Sequence, residues 1–131
     1  MPYIAKNPNA FLQRSVGDGQ CVALVEKAAN MPRDRLWKRG IIVKGAVIAP
    51  GTIIATFDAD GKYGNNTNGS SHAAIYLGQN AEGIQVIDQW MTIVHGRAIP
   101  HVAQPRTIRW KQFESKKASP VNIGDDYYVV Q

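Results

Sequence analysis

The feature that most constrains the fold of this chain is that a single segment of appreciable length has the periodicity of an amphipathic α-helix. That segment covers residues 20–29, and Pro32 ends it. Its apolar positions at helical spacing are Cys21, Leu24, Val25 and Ala28. The segments that follow are mostly β-branched or alternating, which is typical of strands. One helix beside a series of strands predicts an α+β domain with a mostly antiparallel sheet.

Several strands are expected after this helix, with one long interruption. The predicted strands are 41–47, 52–57, 72–79, 84–90 and 127–130, with weaker ones at 93–102 and 107–110. A short helical turn is expected at 34–38. Residues 58–71 are rich in glycine and asparagine, which indicates a functional or mobile loop. A length of 131 residues predicts one domain, residues 1–131, with a single core.

The chain contains one cysteine, Cys21, so no intrachain disulfide can form. It follows the glycines Gly17 and Gly19 and opens the predicted helix, where free N–H groups and the helix dipole favour a thiolate. The alternative is a small buried hydrophobic residue. His72 opens one predicted strand and Asp88 lies near the end of the next. A cysteine on a helix start, with a histidine and a carboxylate on neighbouring strands, indicates a cysteine hydrolase.

Strand geometry supports this assignment. Ile84, Val86, Asp88 and Trp90 share one face of the predicted strand 84–90, which is apolar except for the carboxylate. A buried carboxylate needs a partner, and a hairpin turning near residues 80–81 brings His72 opposite Asp88. Cys21 is then the nucleophile, His72 the acid and base, and Asp88 the group that orients the ring. The N–H of Cys21 is the expected oxyanion donor, with support from Gln20.

Other residues remain open for these roles. His95 or His101 could be the base, and Gln89 could replace Asp88, although its predicted face argues against this. Trp90 is either a core residue or a binding aromatic. Since one cysteine and dispersed histidines do not match a zinc site, we expect no metal and no cofactor.

The net charge of +5 suits an anionic partner such as nucleic acid, an anionic membrane face or a bacterial cell wall. The basic residues are scattered and form no long run. No stretch approaches the roughly 20 apolar residues of a membrane span, and the N-terminus does not resemble a secretory signal.

Three motifs resemble the NlpC/P60 and CHAP superfamily of papain-like cysteine peptidases and amidases. They are GQC at 19–21, SHAAIYLG at 71–78 and VIDQW at 86–90. Within that superfamily the chain is most similar to small single-domain proteins, including the amidase effectors of type VI secretion systems. The signature DCSGF, common in NlpC/P60 enzymes, is absent.

The resemblance implies a papain-like fold and hydrolysis of an amide bond in the stem peptides or cross-links of peptidoglycan. It also implies a protein made in the bacterial cytoplasm, delivered into the periplasm of a target cell, and blocked by an immunity protein. The groove would bind the peptide through Asn68, Ser70, Ser71 and Trp90. We therefore expect a monomeric peptidoglycan amidase that binds neither nucleic acid nor membranes. The alternatives are a non-catalytic basic binding module and a cysteine transferase of the same fold.

Overall fold

The computed structural model describes residues 1–131 and contains one α-helix and a six-stranded antiparallel sheet. The helix, α1, is Cys21–Ala29. The strands are β1 (Arg39–Ile42), β2 (Ile53–Thr56), β3 (Ala73–Gln79), β4 (Gly83–Val94), β5 (Arg97–Arg109) and β6 (Tyr127–Val130). This architecture confirms the expected α+β class with an antiparallel sheet. None of the helices has the length and apolar character needed to cross a membrane.

The strand order is β1-β6-β2-β3-β4-β5, so the C-terminal strand β6 lies between β1 and β2. Helix α1 packs on β3 and β4, where Leu24 and Val25 meet Ile75 and Ile87 in one apolar cluster. A second apolar cluster, which includes Val86 and Trp110, covers the other face of the sheet. Because both faces are covered, the centre of the sheet is buried on both sides, and side chains such as Asp88 and Gln89 are buried in succession.

Strand β5 differs from the prediction. Instead of two short strands at 93–102 and 107–110, one strand runs from Arg97 to Arg109 and pairs with β4 along its length. The turn between them contains His95 and Gly96, with φ of 51° and 76°, as a two-residue hairpin turn requires. The predicted strand 93–102 therefore crossed this turn, and Pro105 lies in the gap before the second predicted strand. Pro100 and Pro105 are tolerated within β5 because it is an edge strand and its prolines need not donate to a further neighbour.

The first strand also differs from its predicted bounds of 41–47. It begins at Arg39 and ends at Ile42. The chain then turns, because the N–H of Ala46 donates to the carbonyl of Val43 at 3.0 Å and Gly45 has a φ of 79°. The apolar residues beyond the turn therefore do not extend the strand.

The register between β3 and β4 is shifted by two residues from the prediction. Ile75 pairs with Ile87, and continuing that register brings His72 level with Trp90 rather than with Asp88. An irregularity between Tyr76 and Gly78 changes the pairing on the way to the turn. Because the side-chain period of a strand is two, this shift leaves His72 and Asp88 on the same face, where they meet diagonally.

Candidate active site

Cys21 is the first residue of α1 and lies at the end of a tight turn formed by residues 17–20, called here the nucleophile turn. Gly17 and Gly19 have φ of 58° and 86°. A Cβ on Gly19 would lie 2.6 Å from the sulfur of Met91, so a side chain there would be strained by the backbone conformation and would displace Met91. No acceptor in the protein pairs with the N–H of Cys21, which leaves that donor free at the helix start.

The buried side chain of Gln89 holds the nucleophile turn against the sheet. Its Oε1 accepts from the N–H of Val16 at 2.8 Å. Its Nε2 donates to the carbonyls of Val16 at 2.9 Å and Gln20 at 2.7 Å. Gln89 is therefore not the partner of the histidine. It anchors the backbone that carries Cys21.

His72 precedes β3 and reaches Asp88 on β4 across the sheet. The ring Nε2 of His72 lies 2.7 Å from Oδ2 of Asp88. The histidine is 6% exposed and the carboxylate 0%. Since Nε2 is engaged by the carboxylate, Nδ1 is the ring nitrogen left to exchange a proton with the thiol. The pairing expected from the sequence is present in the structure.

Asp88 has a second partner that the sequence did not suggest. The Nε of Arg106, on β5, donates to Oδ1 at 3.0 Å and to Oδ2 at 2.8 Å. The guanidinium also lies 5.0 Å from the ring centre of Trp90, which in turn stacks on His101 with ring centres 4.6 Å apart. The buried carboxylate thus has two partners, the ring of His72 and the guanidinium of Arg106, and a buried charge requires such partners.

The electrostatics favour a thiolate paired with an imidazolium. Burial alone raises the pKa of Cys21, but the hydrogen bond and charge of His72, with further hydrogen bonds from Tyr63 and Ala73, bring it below its ordinary value. Burial likewise lowers the pKa of His72, yet the hydrogen bond to Asp88 and the interaction with Cys21 raise it to about 9. Both shifts favour the pair of thiolate and imidazolium over the pair of neutral groups.

Tyr63 supports the sulfur from the loop 58–71. Its Oη lies 3.6 Å from Sγ of Cys21, and its ring packs against Trp37 with ring centres 4.8 Å apart. Burial, followed by the proximity of Cys21, raises the pKa of Tyr63, so the hydroxyl stays protonated and can donate to the thiolate. The loop 58–71 therefore contributes a residue to the site, as its length suggested.

Cys21 and His72 line one cleft of about 880 Å³. Cys21 is 8% exposed, so the sulfur is recessed at the bottom of this cleft. Of the residues expected to bind substrate, Ser71 and Trp90 line the cleft, together with the supporting residue Gln20.

Asn68 and Ser70 do not line the cleft. Their side chains hold the loop 58–71 together, because Oδ1 of Asn68 accepts from the N–H and the hydroxyl of Ser70. Asn66 donates to the same serine and to Asp58. The neighbouring residues Asn65, Asn66, Thr67 and Gly69 form that wall of the cleft instead.

The alternative bases lie elsewhere. His95 is in the β4–β5 turn, and His101 stacks on Trp90 and lies 3.1 Å from the hydroxyl of Thr92. Neither lines the cleft. No group of three His, Cys, Asp or Glu side chains is arranged to hold a metal ion.

The sequence did not indicate that Arg106 and Tyr63 support the site, and it did not indicate that Gln89 anchors the backbone next to Cys21. Gln89 lies 73 residues from its partner Val16, and Tyr63 lies 42 residues from Cys21. One signal was available for Tyr63, since it is the aromatic residue in a loop of glycine and small polar residues.

Comparison with known proteins now identifies the family. The family model described as domesticated amidase effector 2, or Dae2, matches residues 2–130. The chain belongs to the Dae2 family. A type VI secretion amidase effector 2 protein of Salmonella typhi is 41% identical to it over 93 residues, which are 69% of this chain and 68% of that protein.

A solved structure of the type 6 secretion amidase effector Tae2 is similar throughout. It superposes with a TM-score of 0.79 at 31% identity, covering 98% of this chain and 94% of that chain. Membership of the Dae2 family confirms the prediction that the protein is an amidase related to the effectors of type VI secretion systems. It also decides against the non-catalytic binding module that the basic charge allowed.

Proposed function

We propose that this member of the Dae2 family is a cysteine amidase that hydrolyses an amide bond in the peptide part of peptidoglycan as an antibacterial effector. The observation that carries the proposal is that Cys21 and His72 line one cleft and that the buried Asp88 contacts His72, with a thiol pKa below and a histidine pKa above their ordinary values. Such an arrangement suits attack on a carbonyl carbon at neutral pH.

In the acylation step, the Cys21 thiolate attacks the amide carbonyl carbon and forms a C–S bond while the carbonyl π electrons move to oxygen. The free N–H of Cys21 is the donor available to that oxyanion. The tetrahedral intermediate then collapses, the C–N bond breaks, and the His72 imidazolium gives its Nδ1 proton to the leaving nitrogen. The amine departs and a thioester to Cys21 remains.

In the deacylation step, neutral His72 removes a proton from a water molecule as its oxygen attacks the thioester carbon. The C–S bond breaks, the sulfur leaves as a thiolate, and a carboxylic acid is released. The imidazolium and thiolate are thereby restored. Asp88 keeps the ring oriented and favours its charged form throughout, while Tyr63 donates to the sulfur whenever it is anionic.

We further propose a papain-like arrangement related to the NlpC/P60 and CHAP enzymes, in a single catalytic domain covering residues 1–131. The helix that carries Cys21 and the sheet that carries His72 and Asp88 support this relationship. The substrate would lie in the cleft between α1 and the loop 58–71, in contact with Ser71 and Trp90. Action in the periplasm of a target cell and inhibition by an immunity protein that occupies the cleft complete the proposal.

The experiment is digestion of purified peptidoglycan, with products separated by chromatography and identified by mass spectrometry. The wild-type protein should release new amine and carboxylate ends, and the Cys21→Ala and His72→Ala variants should be inactive while remaining folded. Full activity of either variant would contradict the assigned mechanism. The product masses also identify the bond that is cut.

A further inference from the structure

Arg106 uses only one of its donor groups inside the protein. Its Nε donates to both oxygens of Asp88, while neither Nη donates to any acceptor in the protein. No buried side-chain nitrogen or oxygen of the protein lacks a hydrogen-bond partner, so these unpaired Nη atoms must reach solvent. The side chain as a whole is 26% exposed. Its free donors are therefore available to a ligand.

The position of the guanidinium is fixed on two sides. Asp88 holds Nε, and the ring of Trp90 lies 5.0 Å from the guanidinium carbon. Both Arg106 and Trp90 line the cleft that contains Cys21 and His72. A rigid guanidinium with its outer edge free is suited to a bidentate contact with a carboxylate, and little entropy is lost when such a contact forms.

Apart from His72, Arg106 is the only basic residue of the cleft, since no lysine and no other arginine is among the residues that line it. The acidic residues of the cleft, Asp18 and Glu26, come from the α1 side, and neither forms an ion pair with it. The carboxylate of Asp88 is shared with His72 and contacts only Nε. The N–H donors of the two Nη atoms are therefore free to bind an anion.

We propose that the Nη edge of Arg106 binds a carboxylate of the substrate next to the amide bond that is cut. This inference rests on the proposed function and deepens it, because it names a chemical group that the substrate must carry. The same guanidinium would then link recognition to chemistry, since its Nε stabilises the carboxylate that orients His72. A substrate in which this carboxylate is a carboxamide loses the charge-assisted contact.

The test uses two soluble peptidoglycan peptides that differ only in this group, one with the free carboxylate and one with the carboxamide. Their kcat/KM values are measured with the wild-type protein, Arg106→Gln and the control Arg109→Gln. Arg109 lies on the same strand, is exposed and does not line the cleft. Dissociation constants for both peptides are measured in parallel on proteins that also carry Cys21→Ala.

The wild type and Arg109→Gln should prefer the free carboxylate by about 10- to 100-fold, the range expected for a hydrogen-bonded charge. Arg106→Gln should be slower on both peptides, because Asp88 loses a partner, and should show no preference. If Arg106 were only a structural support, the variant would lose activity on both peptides equally and keep the preference, which would overturn the proposal.

The binding measurements separate this inference from the proposed function. A carboxylate preference in binding that disappears with Arg106→Gln supports the subsite even if neither peptide is hydrolysed, in which case the proposed function fails alone. Equal binding of both peptides by the protein with intact Arg106 overturns the subsite, whatever the activity.

Discussion

The substitution Asp88→Asn removes the negative charge that contacts the His72 ring while keeping the size of the side chain. The carboxylate lies 2.7 Å from Nε2 and is 0% exposed. Burial alone lowers the pKa of His72, and the hydrogen bond to Asp88 is the largest of the contributions that raise it to about 9. Without this charge the pKa of His72 should return toward or below its ordinary value.

The magnitude follows from the protonation states at pH 7. A group with a pKa of about 9 is about 99% protonated there, whereas an ordinary histidine is about one quarter protonated. A fall of the His72 pKa from about 9 toward 6.5 changes the free energy of its charged form by roughly 3 kcal/mol. Without the imidazolium the thiol also loses the hydrogen bond and the charge that lower its pKa. The population of the reactive ion pair should therefore fall by about two orders of magnitude.

The assay is kcat/KM for hydrolysis of a soluble peptidoglycan peptide as a function of pH. Asp88→Asn should be about 100-fold slower than the wild type at pH 7. The matched control is Asp125→Asn, because Asp125 pairs with Lys44 at 2.7 Å on the surface and does not line the cleft. It should retain wild-type kinetics. A folded Asp88→Asn protein within about threefold of the wild type would refute the reasoning.

Three further predictions follow from the surroundings of this pair. Gln89→Leu removes three hydrogen bonds, one to Gln20 in the nucleophile turn and two to Val16, which directly precedes it. It should lower the free energy of unfolding in urea by about 2–4 kcal/mol. The control Gln85→Leu, which loses one 3.3 Å hydrogen bond, should cost clearly less, and equal losses would contradict the anchoring role. Tyr63→Phe keeps the ring against Trp37 but removes the donor 3.6 Å from Sγ of Cys21. Alkylation of Cys21 by iodoacetamide should therefore require a higher pH. An unchanged dependence of the alkylation rate on pH would show that Tyr63 does not donate to the thiolate. Because the pKa of His72 is about 9 in the folded protein and near 6.5 when unfolded, its pairing stabilises the protein fully below about pH 6.5, and that contribution is lost as the pH rises through about 9. Because the Cys21 thiol titrates in the opposite sense, the comparison is made in proteins that carry Cys21→Ala, where the free energy of unfolding should fall as the pH rises above about 6.5 relative to the same protein with His72→Gln. Parallel curves would show that the ring is not held in its charged form by Asp88.

The parts of the fold that the sequence predicted well have a strong local signal. Helix α1 was expected at 20–29 and lies at Cys21–Ala29, because its apolar period and the following Pro32 leave little choice. Strand β6 matches its predicted bounds, Tyr127–Val130. Strand β5 was divided in error at residues 103–106. This gap contains Pro105, which is compatible with a strand only at a sheet edge, and the order of the strands cannot be deduced from local pattern.

The pairing of His72 with Asp88 was predictable although its register was not. An error of two residues preserves the face of both side chains, whereas an error of one would have separated them. Arg106 and the role of Gln89 could not be predicted in this way. Arg106 reaches Asp88 from β5, the strand that the sequence divided, and Gln89 bonds to a backbone 73 residues away.

The central claim is that the proton shared by Cys21 and His72 resides on the ring at neutral pH. It is tested most directly by titrating the ultraviolet absorbance of the thiolate in the wild type, with Cys21→Ala as the baseline. The account predicts a thiolate already formed at pH 7, with an inflection well below the ordinary value of about 8.5. A protein whose thiolate signal appears only at or above that value would contradict it.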